Sequence, residues 1–249
     1  MPDYRIDLDA RNPGQFFACC GLFELAELVA PGGLASFAPS GDTFVLSTGA
    51  QLDGVKLELS PSGAFEDKTL EPLAIAFADR TLDLAWWLND TRTDKSALKT
   101  WGGQQTPRRV LLELLEHLNP DTPLKDAFGY VAYLKSRFGV DARSAWDALD
   151  AGYSPNDIGQ SAATFPWVEV LAVIGLQGFR PQQQTRRSLY RYATWAQPLP
   201  IAVARAASAA PWTGVSARAF EFRMVARGQG YKTFSFAKGV SHDASLVAI

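Results

Sequence analysis

Cysteine, histidine and methionine each occur only twice among 249 residues. Cys19 and Cys20 are adjacent, and a disulfide does not fit neighbouring residues without distortion. There is no C-x-x-C and no Cys/His cluster, so a structural zinc site has almost no ligands to draw on. The two thiols read as small buried side chains on a helix. No base stands near them in sequence to make either a nucleophile. G-x-S-x-G, P-loop and H-E-x-x-H motifs are all missing. His117 sits near the end of a predicted helix, where a cation suits the helix dipole, with a general-base role as the alternative. His242 falls in the tail. Asp79, Asp83 and Asp90 could gather around Mg²⁺ only if the first two shared a helix face, and the local pattern is that of a strand. No catalytic residue, metal or cofactor is expected.

Long apolar runs are also scarce. The longest, from Phe16 to Val29, is broken by Glu24 and Glu27 and falls short of the ~20 residues that cross a bilayer. No basic leader precedes it, so neither signal peptide nor anchor is expected. The expectation is a soluble, cytoplasmic protein with no membrane partner. Hydrophobic residues make up 47% and charged residues 20%, which excludes disorder as the main state. A chain of this length buries roughly 70–75% of its unfolded surface.

Net charge is only −2, but it is unevenly spread. Residues 1–100 hold 8 Lys+Arg against 15 Asp+Glu, and residues 101–249 hold 16 against 11. Within 180–238 there are 10 basic residues and one acid, Glu221. Such asymmetry points to a face that meets an anion, unless the basic part neutralises the acidic part within one fold.

Periodicity outlines the elements. Residues 4–9 alternate as a half-buried strand does. Asn12-Pro13 reads as a cap followed by proline at the first helical position, with a helix to Val29 stopped by Pro31-Gly32-Gly33. Strands are predicted over 34–38, 43–47, 55–59 and 82–88, and a polar loop over 89–99. After Pro107, Val110, Leu111, Leu114, Leu115 and Leu118 share a helix face. Further helices are predicted over 143–149, 167–176 and 200–210. Strands over 218–225 and 231–236 flank a glycine-rich turn, a hairpin pattern. Strands at both ends with helices between give α+β. One domain is expected over 1–249, with sheet-forming segments about 1–100 and 211–240 and a mostly helical insertion about 106–210.

Binding signals are richer than catalytic ones. Leu98-Lys-Thr-Trp-Gly-Gly-Gln-Gln105 sets Lys99, Trp101, Gln104 and Gln105 around two glycines, with Arg108 and Arg109 at the start of the next helix. Glycine lets backbone approach a ligand, amides read base edges and arginine clamps phosphate. The same residues also suit a tight turn with a core tryptophan and solvated amides. Arg186, Arg187 and Arg191 interleave with aromatic residues up to Tyr192, and Arg227, Gln229, Tyr231 and Lys232 do so again in the predicted hairpin. Cations track a phosphate backbone and rings stack on bases; an exposed hairpin is the plainer reading. No RRM signature is present.

Several stretches together resemble a known family. Asn12-Pro-Gly-Gln-Phe-Phe-Ala-Cys-Cys-Gly-Leu-Phe-Glu-Leu-Ala26 resembles the opening of CRISPR-associated proteins of the type I-U (I-G) systems, the third member of the Csb family. Leu98–Gln105 is similar to another of its motifs. So are Arg137-Phe-Gly-Val-Asp-Ala-Arg143 with residues 148–157, Val170-Leu-Ala-Val-Ile-Gly-Leu-Gln-Gly-Phe-Arg-Pro181, and Arg227-Gly-Gln-Gly-Tyr-Lys-Thr-Phe-Ser-Phe236. The matches run in order over nearly the whole chain. Gly178 and Gly230 stand where the family pattern leads one to expect a bulkier residue. The resemblance implies a ferredoxin-like (RAMP-like) sheet with a glycine-rich loop near the C-terminus. It also implies a place in antiviral defence alongside CRISPR RNA and/or target DNA and other CRISPR-associated effector subunits, and it carries over no catalytic residues. The expected function is a non-catalytic subunit or accessory factor of a type I effector complex. The alternatives are a metal-independent endoribonuclease that processes CRISPR RNA, with His117 or Tyr231 as acid/base, and a purely protein-binding assembly factor.

Overall fold

The computed structural model describes residues 3–60, 71–102, 105–144, 161–186, 188–209, 216–228 and 230–240. Helix α1 (Pro13–Val29) begins where the Asn12 side chain accepts the Gly14 N–H at 3.1 Å, with Pro13 at the first helical position. Every residue from Pro13 to Ala26 is buried, so the helix is enclosed on all sides rather than amphipathic. Its main neighbour is α4 (Pro166–Gly178), equally apolar. The two backbones touch through glycine. A Cβ on Gly21 would lie 2.0 Å from the Leu171 carbonyl oxygen, and one on Gly175 would lie 2.0 Å from that of Phe17.

Two antiparallel sheets cover this helix pair. The first holds β1 (Asp3–Asp7), β2 (Leu34–Phe37), β3 (Thr43–Ser47) and the short β11 (Leu199–Pro200), in the order β1-β3-β2-β11. Its inward residues include Ile6, Ala35, Phe37, Phe44 and Leu46, and the Phe16 ring stacks 5.3 Å from Phe37. The second holds β9 (Gln182–Gln183), β10 (Leu189–Trp195), β12 (Ser216–Gly228), β13 (Tyr231–Phe234) and β14 (Lys238–Val240). β12 pairs with β10 on one side and with β13 and β14 on the other. Tyr190, Tyr192, Phe220, Phe222 and Met224 face inward, and Phe17 meets Tyr192 and Phe222. Trp195 Nε1 donates to the Ala35 carbonyl at 2.7 Å and ties one sheet to the other.

The predicted α+β class holds. β1, α1, β2 and β3 form a split β-α-β, with β3 between β1 and β2. The fourth strand of that sheet, β11, lies beside β2 rather than beside β1. A smaller meander of β4 (Leu57–Leu59), β5 (Leu73–Phe77) and β6 (Arg80–Leu84) and a pair of β7 (Ala132–Leu134) and β8 (Ala162–Thr164) flank the core. Helices α2 (Pro107–Glu116), α3 (Leu124–Ala127) and α5 (Ile201–Ala209) complete the described elements, with a 3₁₀ turn at Ala142–Ser144.

Two expectations need correction. The strand predicted over 82–88 ends at Leu84. The carbonyls of Ala85, Trp86 and Leu88 are taken by the Arg180 guanidinium at 3.4, 3.3 and 3.1 Å, and the Ala85 N–H donates to Gln177 Oε1 at 2.6 Å. Groups that a ladder would use are spent on the end of α4. The helix predicted over 143–149 shows only the turn ending at Ser144, and its remainder lies outside the described residues. The stretch 106–210 holds more helix than strand among the described residues, and it is also woven into the core. It supplies β10, a central strand of the second sheet, and α4, the innermost partner of α1.

Gly178 has a local reason to be glycine. Arg205 on α5 reaches across it to Glu24 on α1, with Nη2–Oε2 at 2.5 Å and Nε–Oε1 at 2.9 Å. A Cβ on Gly178 would lie 2.0 Å from Glu24 Oε1 and 2.6 Å from Arg205 Nε. Gly178→Ala should push the pair apart and lower stability by about 1–2 kcal/mol, because Glu24 is buried while Arg205 is partly solvated. A urea titration should show a lower midpoint, and in a Glu24→Ala/Arg205→Met background, where both clashing groups are gone, the same alanine should cost little.

Candidate nucleic-acid interface

Two of the sequence motifs, more than a hundred residues apart, meet at one end of the fold. Loop 98–102 is pinned from below. The Ser96 N–H and Oγ donate to the Trp87 and Trp86 carbonyls at 2.6 and 2.9 Å. Trp101 inserts edge-on among Trp86, Trp87 and Phe138, at 5.9, 5.7 and 5.7 Å between centroids. From the other side the Lys232 N–H of β13 donates to the Thr100 carbonyl at 2.7 Å. The turn before β13 has Gly230 at φ +85°, a backbone that favours glycine, and a Cβ there would lie 3.8 Å from the Gly102 Cα. Gly178 and Gly230 thus each have a steric or conformational cause within this chain.

The cations follow from that contact. Lys99 Nζ donates to the Trp101 carbonyl at 2.5 Å and stands 5.2 Å from the Trp101 ring centroid. Its ammonium is held below the usual lysine range, first by partial burial and then by the like charges of Lys95 and Lys232. Lys232 is exposed. Among the described residues, no ion pair involves Lys95, Lys99 or Lys232. At the start of α2, where the Thr106 Oγ accepts the Arg109 N–H, Arg109 is exposed and Arg108 half-buried. Gln105 Nε2 donates to Ser136 Oγ at 3.2 Å. Arg186 is exposed and stands just before β10, at the same end of β12 as the hairpin turn, because the Ser188 carbonyl accepts the Met224 N–H.

The other predicted contact residues are placed differently or lie outside the described residues. Trp101 is 3% exposed and offers no face to a base. The segment 186–192, read as a basic and aromatic loop, is for the most part β10. Its rings alternate into the core, with Tyr190 at 2% and Tyr192 at 1% exposure. Arg191 points the other way and pairs with Glu221 at 3.2 Å across the strands. Tyr231 is half-buried against the core, and burial pushes its phenol up. The backbone of Arg227 is in β12, one residue before its end. Gln104, Arg187 and Gln229 lie outside the described residues.

Catalytic groupings do not form among the described residues. Cys19 and Cys20 are fully buried and their thiols are pushed well up by burial. His117 caps the C-terminal end of α2, its Nδ1 2.8 Å from the Glu113 carbonyl oxygen. Helical rise places it ~12–14 Å along the axis from Arg109 and Arg108 near the other end. Asp79 pairs with Arg80, and no three His, Cys, Asp or Glu side chains gather as metal ligands among the described residues. Two open hollows of about 460 and 500 Å³ mix acids with arginine, Asp9 and Arg218 in one and Asp126 and Arg143 in the other. Neither includes a residue singled out from the sequence as nucleic-acid-binding.

Sequence reasoning missed a buried polar knot behind the interface. Asn12 Nδ2 donates to Asp141 Oδ1 at 2.7 Å, and Arg143 clamps the same carboxylate at 2.6 Å. Glu169, wholly buried on α4, accepts the N–H groups of Gly139 and Asp141 at 2.9 and 3.1 Å. The Gly139 carbonyl accepts Thr233 Oγ1 and the Phe234 N–H. The knot therefore fixes β13 against α1 and α4. Its members come from the stretches carrying the family resemblance or stand beside them, which was the available signal.

Comparison with protein-family models, curated proteins and solved structures gives no match. Among the described residues, no helix is long and apolar enough to cross a membrane.

Proposed function

We propose that this chain is a cytoplasmic, non-catalytic subunit or accessory factor of a type I CRISPR effector complex that contacts CRISPR RNA or target DNA. The observation that carries the nucleic-acid part is the contact between loop 98–102 and the β12–β13 hairpin through the Lys232 N–H and the Thr100 carbonyl, which sets Lys99 and the exposed Lys232 at one end of the fold with Lys95 nearby. A like-charged cluster without carboxylate partners among the described residues costs stability in isolation, and an arriving polyanion relieves it. The CRISPR part rests on the motifs from residue 12 to residue 236. In RNA-guided assemblies base pairing reads the sequence while protein holds backbone and shape. Such a subunit needs cations and partner surfaces, not an acid/base pair.

Purified protein and labelled CRISPR repeat RNA test this directly. Counterion release makes affinity fall with salt, so Kd should rise about 10- to 100-fold between 50 and 200 mM salt. The double variant Lys99→Glu/Lys232→Glu should flatten that slope. A salt-independent Kd, or no RNA retained at any salt, refutes the nucleic-acid reading. Site-specific cleavage in EDTA refutes the non-catalytic one.

A further inference from the structure

The outer face of the second sheet carries a ring that the motif reading did not use. Along β12, Phe220, Phe222 and Met224 point into the core, so Glu221, Arg223 and Val225 point outward. Strand register supplies their neighbours. Glu221 stands opposite Arg191 on β10 and Lys238 on β14, and Arg223 stands opposite Leu189. Between β13 and β14 the register slips by one residue, which puts both Ser235 and Phe236 opposite Arg223. Ser235 spends its backbone N–H on the Arg223 carbonyl and its hydroxyl on the Arg223 N–H, at 2.9 and 3.0 Å. Phe236 is left 48% exposed.

Cations outnumber the carboxylate on that face. Glu221 is already paired with Arg191 at 3.2 Å. Arg223 and Lys238 are exposed, and neither takes part in an ion pair among the described residues. Lys232 stands four residues before Phe236 on the same edge, ~13 Å away at strand rise, but strand alternation puts it on the side of Phe234, so it does not belong to this patch. A bulged edge that holds a phenyl ring in water between cations suits a base stacked on the ring with phosphates on either side.

We infer that the outer face of β12 and its β13–β14 edge, with Phe236 as stacking ring and Arg223 and Lys238 as phosphate contacts, binds single-stranded nucleic acid. This rests on the nucleic-acid reading above and extends it from the loop 98–102 end along the sheet. It distinguishes single strands from duplexes, because a duplex keeps its bases stacked and cannot offer one to Phe236.

The test uses the full chain and a single-stranded RNA 12-mer carrying 2-aminopurine, with a fully paired duplex of the same sequence as competitor. Wild type should quench the probe and prefer the single strand. Phe236→Ala should lose the quenching and about 10-fold in affinity with little change in salt slope, since stacking is largely uncharged. Arg223→Glu/Lys238→Glu should flatten the salt slope. Because all three side chains are exposed, thermal midpoints should stay near wild type. If wild type binds the RNA but Phe236→Ala quenches and binds as well as wild type, this inference falls and the nucleic-acid reading stands. If wild type binds no RNA, both fall. A Phe236→Ala variant that keeps RNA affinity but loses co-purifying effector proteins makes the patch a protein contact and overturns the inference.

Discussion

Gly175→Ala and Gly21→Ala should each cost about 3 kcal/mol or more of folding stability, and the pair together should leave no cooperative unfolding transition. In most cores an added methyl group is accommodated by side chains that shift, at about 1–3 kcal/mol. Here the obstacle is main chain. The new Cβ at position 175 would lie 2.0 Å from the Phe17 carbonyl oxygen and 2.8 Å from the Gly21 nitrogen, and the one at 21 would lie 2.0 Å from the Leu171 carbonyl oxygen. Neither helix can yield locally, because α1 is buried from Pro13 to Ala26 and α4 from Pro166 to Leu176. Relief requires the helices to separate, which would open the core that both sheets pack upon. Urea denaturation followed by far-UV circular dichroism measures the loss. A midpoint within experimental error of wild type would mean that the helices do not cross at these glycines. Gly32, at φ +94° with nothing within 4 Å, is the control: its alanine variant bears only backbone strain, of order 1 kcal/mol.

The helical skeleton could be read from the sequence because its signals are local. Asn12-Pro13 acts as cap and first residue, and α1 starts where this pair predicts; α2 starts at Pro107, where the helical periodicity sets in, with Thr106 as its cap. The hairpin around Gly230 follows from glycine alone. What escaped depends on which side of a strand faces the core. In segment 186–192 the interleaving of arginine and tyrosine is the period-two signature of β10, yet the same spacing also fits a basic, aromatic binding loop. The two readings separate only when Phe220 and Phe222 are seen to pack beside Tyr192, at 5.5 and 5.9 Å between ring centroids. Trp101 misled for a related reason. Its flanking glycines suit an exposed loop, and its burial depends on Trp86, Trp87 and Phe138, which no local pattern connects to it. The meeting of loop 98–102 with the hairpin is likewise long-range. Both segments were visible as candidates, but their contact was not. Arg223, Phe236 and Lys238 went unnoticed because a register slip, not composition, turns them to one face.

The polar knot should make stability fall as pH rises. Glu169 is wholly buried, and burial pushes its carboxyl from 4.5 up to about 7, against the pull of two backbone N–H groups and Arg137. Asp141, whose carboxylate is already held by Asn12 and Arg143, adds repulsion from the same loop. Between pH 4.5 and about 7 the native protein therefore holds a proton that the unfolded chain releases. Stability from this group is full below the lower value, declines through the window and is flat above it. A shift of that size corresponds to about 3 kcal/mol. Glu24, raised by burial despite Arg205, adds a slope of the same sign. Asp9, lowered by Arg11, acts in the opposite sense, and its effect is confined to more acid solution. Glu169→Gln removes the titration but turns one amide donor toward the loop that offers N–H groups. It should therefore be less stable than wild type at pH 5 and close to it at pH 8, with a visibly shallower profile between them. Urea midpoints at half-unit steps from pH 5 to 8 decide the matter. Parallel profiles for wild type and variant would show that Glu169 stays ionised across this range. Because Gly139 links Glu169 to Thr233 and Phe234, the same titration should also loosen β13, raising amide exchange at Lys232 and Phe234 in wild type but not in the variant.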